Sequence, residues 1–406
     1  MRIVVLLAIV AGCSSSGGAD PSAAAMQPEL TRIAGRLASP EWQGRDEGSP
    51  GGIAARAFII EEWKKCGIVP AVAGGFEQPV ATGKGANVVG KIVGTDASLK
   101  DRYVLVSAHY DHLGVGCGVA SDTAHVCLGA YDNAIAVAEV IETACALARN
   151  PPRRSVLVAH WDAEEPPTFL TDKMGSAFYV ANPLVPLSQV DVAIVLDLTG
   201  EDLWPGYQTL VVLGSETSAE VAAAVKAAKV PSGLPALRLG LHAVEEQVFG
   251  HHPWSDYDDF RKKGVPVLFL SDGQNKVYHT PQDTADRLDI PKAGREAAFL
   301  LSVARNLADA SATPAFKLEN DYPNDAKTAL RVVQDALAPG GMVEKLSLTD
   351  GSKSLLEGDL AALKTTVASL DAGNAATDAD ISAIRKGIQR GMCLASTLPE
   401  LLCSAL

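Results

Sequence analysis

A chain of 406 residues, 47% hydrophobic and 20% charged, has the composition of a folded protein and the length to bury a large core. Its formal net charge of -13 excludes the basic surface that a nucleic-acid backbone requires. Seven cysteines suit an oxidising compartment.

Residues 1–12 read as a signal segment, with Arg2 ahead of an apolar run over 3–10 that is too short to cross a bilayer. Val10-Ala11-Gly12-Cys13 resembles a bacterial lipobox, which implies cleavage before Cys13 and a lipid on that cysteine. Residues 13–27, with Ser14, Ser15, Ser16, Gly17 and Gly18, read as a flexible tether. On this reading the protein sits at a bacterial cell envelope, on the periplasmic or outer-surface side. Its membrane contact is through the lipid anchor alone, because no later segment is long and apolar enough to span.

Helical spacing covers residues 29–37 and 53–65, on either side of a glycine-rich turn over 43–51. Strand patterns follow over 76–80, 87–93 and 103–107. The third ends on His109-Tyr110-Asp111; a loop leads to Gly129-Ala130-Tyr131-Asp132-Asn133 and a helix over 136–147. Pro151-Pro152 stops that helix. The strand over 155–160 runs into Asp162-Ala163-Glu164-Glu165-Pro166-Pro167, and a helix covers 175–181. The strand over 190–196 ends on Asp197. Strands over 209–213 and 265–270, helices over 218–228 and 293–308, and the loop Val277-Tyr278-His279-Thr280-Pro281 complete the pattern. Strands alternating with helices predict an α/β fold: a mostly parallel, mixed sheet with helices on both faces over residues 28–312. Residues 313–406 lose the strand runs and read as a small helical C-terminal appendage, with helical spacing over 325–337, 355–370 and 378–391 and no histidine. No chemistry is assigned to it.

Open α/β sheets place ligands beyond the carboxyl ends of their strands. His109, Asp132, Glu165, Asp197 and His279 all fall just past a strand or in the loop beyond one. Imidazole and carboxylate are zinc ligands, and two metals about 3.5–4 Å apart need a carboxylate between them. Each residue alone has an ordinary alternative: a hydrogen-bonded His-x-Asp pair, a solvated Glu-Glu pair, or a helix cap at Asp197.

Taken together the chain resembles the co-catalytic dizinc aminopeptidases, metallopeptidase family twenty-eight, whose relatives include glutamate carboxypeptidases and glutaminyl cyclases. The landmarks are Gly44-Arg45 with Gly48-Ser49-Pro50-Gly51, Ala108-His109-Tyr110-Asp111, Gly129-Ala130-Tyr131-Asp132-Asn133, Glu164-Glu165 with Met174-Gly175-Ser176, Leu196-Asp197, Ser255-Asp256, and Tyr278-His279-Thr280-Pro281 with Asp283-Thr284. The resemblance implies a zinc-exopeptidase fold of the phosphorylase/hydrolase-like type. It implies two Zn2+ ions bridged by Asp132, one completed by His109 and Asp197 and the other by Glu165 and His279. Asp111 would fix the tautomer of His109. Glu164 would be the general base that activates the attacking water at the metals and returns the proton to the leaving amine. The implied activity is aminopeptidase hydrolysis of peptides. Carboxypeptidase and glutaminyl cyclase action are the alternatives, and a non-catalytic envelope binding lipoprotein is a third.

The chain departs from its relatives in four places, one of them Pro166-Pro167 directly after Glu165. Ile135 stands near the helix start, where it would narrow the site. Tyr257 follows Ser255-Asp256, where relatives often carry histidine. The loop over 112–128 reads as a rim limiting substrate size, pinned by a Cys117–Cys127 disulfide. Cys393 and Cys403 flank a second short loop as another plausible pair. Cys66 and Cys145 are either a third pair or buried thiols. His112, His125, His160, His242, His251 and His252 read as structural or surface residues, with His160 packed beside the site. Oligomeric state is not encoded in these patterns.

Overall fold

The computed structural model describes residues 20–406 except 73, 120, 248 and 249. The signal segment and Cys13 lie outside the described residues. No helix among those described is long and apolar enough to cross a membrane.

The strands of the main sheet are β1 (Val69–Pro70), β2 (Glu77–Pro79), β3 (Ala86–Ile92), β4 (Tyr103–His109), β5 (Ser155–Trp161), β6 (Val190–Leu196), β7 (Leu210–Leu213), β8 (Ala236–Leu239) and β9 (Val267–Ser271). Among the described residues they form one nine-stranded sheet in the order β1-β3-β5-β4-β6-β9-β7-β8, with β2 beside β3. The centre is parallel: β4 with β5 and β6, and β6 with β9. β3 and β7 run antiparallel to β5 and β9, so the sheet is mixed, as expected. The sequence pattern does not reveal β1 or β8; both are short edge pieces.

The helices longer than a single turn are α1 (Ala23–Leu37), α2 (Pro50–Lys65), α3 (Ile135–Arg149), α4 (Gly175–Ala181), α5 (Ala219–Lys226), α6 (Tyr257–Lys262), α7 (Ile290–Asp309), α8 (Tyr322–Leu337), α9 (Asp350–Asp371) and α10 (Asp378–Ala395). Ser49 and Asp289 start α2 and α7 by accepting backbone N–H groups from Gly52 and Lys292, and a proline follows each in the first turn.

Side chains alternate across the sheet, so each strand feeds two cores. Val104 and Val106 of β4 join α1, α3 and α7 on one face; Tyr103 and Leu105 join the opposite core. That opposite core also contains Ala329 and Val333 of α8, Leu363 of α9 and Ile384 and Ile388 of α10. The helical C-terminal region therefore forms as expected but shares a core with the sheet. Its attachment is polar as well: Thr328 donates to the Arg238 carbonyl at the β8 edge (2.8 Å), and Asp325 accepts from the Gly240 N–H (3.0 Å).

Three disulfides close. Cys66–Cys145 ties the end of α2 to α3, Cys117–Cys127 spans a two-stranded hairpin, and Cys393–Cys403 pins the end of α10 to the last residues.

Candidate metal centre and active site

β4, β5, β6 and β9 end at one edge of the sheet, and the loops beyond them supply the site. His109 is the last residue of β4. Asp197 follows β6, and Glu164 and Glu165 lie in the turn after β5. Asp132 is carried by a tight turn ahead of α3, whose Asp132–Asn133 peptide is cis. Gly129 enters that turn at φ +65°, and a Cβ there would lie 2.3 Å from the Asp132 carbonyl oxygen and 2.4 Å from the His112 ring. Only glycine fits. His279 is itself held at φ +57°, a left-handed conformation uncommon for this residue type.

The five expected ligands come together in two groups. His109 Nε2 lies 3.3 Å from Asp132 Oδ1 and 3.3 Å from Asp197 Oδ1. His279 Nε2 lies 3.2 Å from Asp132 Oδ2 and 3.0 Å from Glu165 Oε2. Asp132 thus turns one oxygen to each group. Donors about 2.0–2.1 Å from a tetrahedral ion sit about 3.3 Å from one another, so these spacings fit zinc. Asp132 Oδ2 and His279 Nε2 are buried without a hydrogen-bond partner, as donors awaiting an ion would be. Glu164 Oε2 lies 3.8 Å from His109 Nε2, beside the first group.

Electrostatics agree with that fit. Burial works against charge on His109, but Glu164 and Asp197 outweigh it and raise the imidazole well above its ordinary range. Burial likewise opposes charge on His279, and Glu165 with Asp132 lifts it to about 10. The carboxylate charge that raises both imidazoles is the charge a bound cation would meet. Burial holds Glu164 well above the usual carboxylate range, and Asp197, Asp256 and Glu165 push it further. A carboxyl that takes up a proton readily suits a general base.

The supporting residues differ from the sequence reading in detail. Asp111 Oδ1 is 3.6 Å from His109 Nδ1, whereas the Asp111 carbonyl oxygen is 3.2 Å from it. The Asp111 carboxylate instead accepts backbone N–H groups from Glu164 (3.2 Å) and Glu165 (3.1 Å). Asp283 does the same for Tyr131 (2.7 Å) and Asp132 (3.0 Å). The Ser255 hydroxyl donates to Asp197 Oδ2 (2.8 Å). His112 is fully buried with Nδ1 2.7 Å from Glu165 Oε1, so it belongs to the site after all. Its position three residues past His109 was the available signal, and the turn that seats it is set by Gly129. His160 is buried against Trp63 and its Nδ1 bonds the Ala108 carbonyl, in the strand layer beneath the site.

Two departures have other consequences than their position suggests. Ile135 packs into the core against Gly200 and does not line the cavity, because the turn at Asp132 directs it under the sheet edge. Tyr257 donates to Glu245 Oε1 (2.6 Å), away from the ligands. No described residue of the 112–128 loop lines the cavity either. Arg45 draws that loop's end onto the body by donating to the Leu128 and Gly129 carbonyls. The cavity, of about 290 Å³, is lined by Asp132, Glu164 and Asp197 and by Trp254, Val332 of α8 and Ile388 and Met392 of α10.

A mixed α/β sheet with these donors at its strand ends has the fold of the zinc-dependent exopeptidases. Residues 87–304 match the model of Peptidase family M28, and the chain belongs to that family. It is 29% identical over 237 residues to the uncharacterized protein YfbL of Escherichia coli K12, covering 53% of this chain and 68% of that one. The LapA aminopeptidase of Legionella pneumophila superposes with a TM-score of 0.54 at 16% identity, over 70% of this chain and 72% of that one. A leucine aminopeptidase precursor of Bacteroides thetaiotaomicron gives 0.53 at 17% identity (69% and 97%). A glutaminyl cyclase of the same species gives 0.52 at 17% (71% and 99%). At such identities the likeness shows the fold.

Proposed function

We propose that this chain is a zinc-dependent aminopeptidase that removes N-terminal residues from peptides. The observation that carries the reading is the lining of the cavity. Asp132, Glu164, Asp197 and Asp272 line it, and no lysine or arginine is among the described residues that do. With Asp132 and Asp197 engaged by zinc, a substrate's C-terminal carboxylate would find no cationic side chain to pair with, which a carboxypeptidase needs.

His109, Asp132 and Asp197 would hold one zinc, and Asp132, Glu165 and His279 a second; the split of the Asp132 oxygens between the two groups supports this. Zinc supplies Lewis acidity toward a carbonyl. Glu164 takes a proton from the attacking water, the C–N bond breaks, and Glu164 passes the proton to the departing amine. His112, Asp111 and Asp283 hold the carboxylates and backbone that carry this chemistry.

The test is metal counting on purified protein combined with hydrolysis of aminoacyl arylamides with and without chelator. Two zincs per chain and chelator-sensitive release support the reading. One zinc with cyclisation of N-terminal glutamine would replace it by the cyclase. We further propose an envelope location through lipid on Cys13. Three disulfides support an oxidising compartment, and loss of labelled palmitate in Cys13→Ser cells is the check.

A further inference from the structure

The cavity beside the candidate ligands is mostly apolar, and its far wall comes from outside residues 87–304. Leu213, Leu239 and Phe269 line it from the sheet; Val332, Ile388 and Met392 line it from α8 and α10. Its volume of about 290 Å³ is at the small end of ligand pockets, which run from roughly 300 to 1,000 Å³. That is room for one side chain.

Beyond it lies a second apolar cavity of about 490 Å³, lined by Leu398 and Leu402 among others. Trp254, Gln274 and Met392 line both spaces. Met392 is the flexible member of that partition, with an unbranched side chain that adapts to its surroundings.

The helix beneath this wall is fixed. Gln389 donates to the Ala243 (3.1 Å) and Glu246 (2.9 Å) carbonyls, Arg385 donates to the His242 carbonyl (3.1 Å), and Cys393 is bonded to Cys403. A pocket wall held this way is formed before any ligand arrives.

We propose that the C-terminal helices set the side-chain preference of this site: Val332, Ile388 and Met392 close an apolar pocket for a large aliphatic or aromatic side chain on the residue whose carbonyl is attacked, and Met392 fixes its length. This rests on the aminopeptidase reading for the direction of the substrate. Each methylene that an apolar pocket accepts or refuses changes selectivity by roughly tenfold or more.

The experiment uses the full chain loaded with zinc and the arylamides of alanine, leucine, phenylalanine and 2-aminooctanoate. The wild type favours phenylalanine or leucine over alanine at least tenfold in kcat/KM. Met392→Trp lowers the phenylalanine-to-alanine ratio at least tenfold. Met392→Ala joins the two cavities and raises the 2-aminooctanoate-to-leucine ratio at least fivefold; it also carries the test if Met392→Trp does not fold. Calorimetric binding of phenylalanine and alanine hydroxamates gives a second measure that needs no turnover. Hydrolysis with ratios unchanged in both variants overturns the pocket and leaves the aminopeptidase reading standing. No arylamide hydrolysis, with a phenylalanine hydroxamate preference that Met392→Trp removes, supports the pocket and overturns the aminopeptidase reading. Absence of both hydrolysis and hydroxamate preference overturns the two together.

Discussion

The Asp111 carboxylate accepts the backbone N–H of Glu164 at 3.2 Å through one oxygen and that of Glu165 at 3.1 Å through the other. The residue two places after a candidate ligand on β4 therefore fixes the peptide carrying the proposed base and another ligand. Asp111→Asn turns one acceptor into a donor that faces an N–H. The expected result is a fall of 10–100-fold in zinc affinity together with a fall in kcat, measured by competition with a chromogenic chelator and by arylamide hydrolysis.

Glu164→Gln keeps the side-chain shape and removes the proton acceptor. Turnover should drop about 10²–10⁴-fold with zinc content unchanged by atomic absorption. Activity within tenfold of wild type would mean that another group takes the proton.

Removing the metal should loosen the fold as well as silence it. Asp132, Asp197, Glu164 and Glu165 are all buried at one point. A cation bound there stabilises the folded state by about 4 kcal/mol when present at a thousandfold its Kd. A chelator should lower Tm by several degrees in differential scanning calorimetry, and added zinc should restore it. An unchanged Tm would show that no stabilising ion is held.

His160 supplies a pH dependence away from the ligands. Burial lowers its pKa from 6.5 to about 3, while its bond to the Ala108 carbonyl pulls weakly the other way. Between these values the unfolded chain binds a proton that the folded chain refuses, so stability rises with pH across that window and falls on acidification. The full span is worth on the order of 5 kcal/mol. His160→Phe keeps the stack on Trp63 but loses the bond, at about 1 kcal/mol. The variant should be slightly less stable than wild type at pH 8 and more stable at pH 4, in urea titrations.

The Cys66–Cys145 bridge spans 79 positions and joins the end of α2 to α3, the helix that follows the turn of Asp132. Replacing both cysteines by alanine should cost about 2–4 kcal/mol, read as a lower denaturation midpoint. Zinc affinity should change little, because the bond lies on the helix layer rather than at the strand ends.

Much of this site is legible in the sequence because its ligands terminate apolar runs: His109 after β4 and Asp197 after β6 need only the strand to be recognised. His112 and Asp283 are different. Their partners, Glu165 and the Tyr131–Asp132 backbone, lie 53 and about 150 positions away, so the place of His112 near His109 and of Asp283 after His279 does not say what each one binds. Ile135 and residues 113–128 sit next to ligands in the chain yet do not line the cavity, and a turn at Gly129 and the grip of Arg45 hold them away. The role of α8 and α10 was hidden for a further reason. α8 packs beside β8, a four-residue edge strand too short for its pattern to stand out, and α10 packs on α8.

The five candidate ligands stretch from His109 to His279 and reach one point only after β4, β5, β6 and β9 have found their neighbours. A chain still folding, with β9 unmade, offers at most one of the two donor groups. If each group holds an ion, as proposed, capture of the second marks a finished sheet, and a chain folded without metal would be complete in outline but unsealed at this edge.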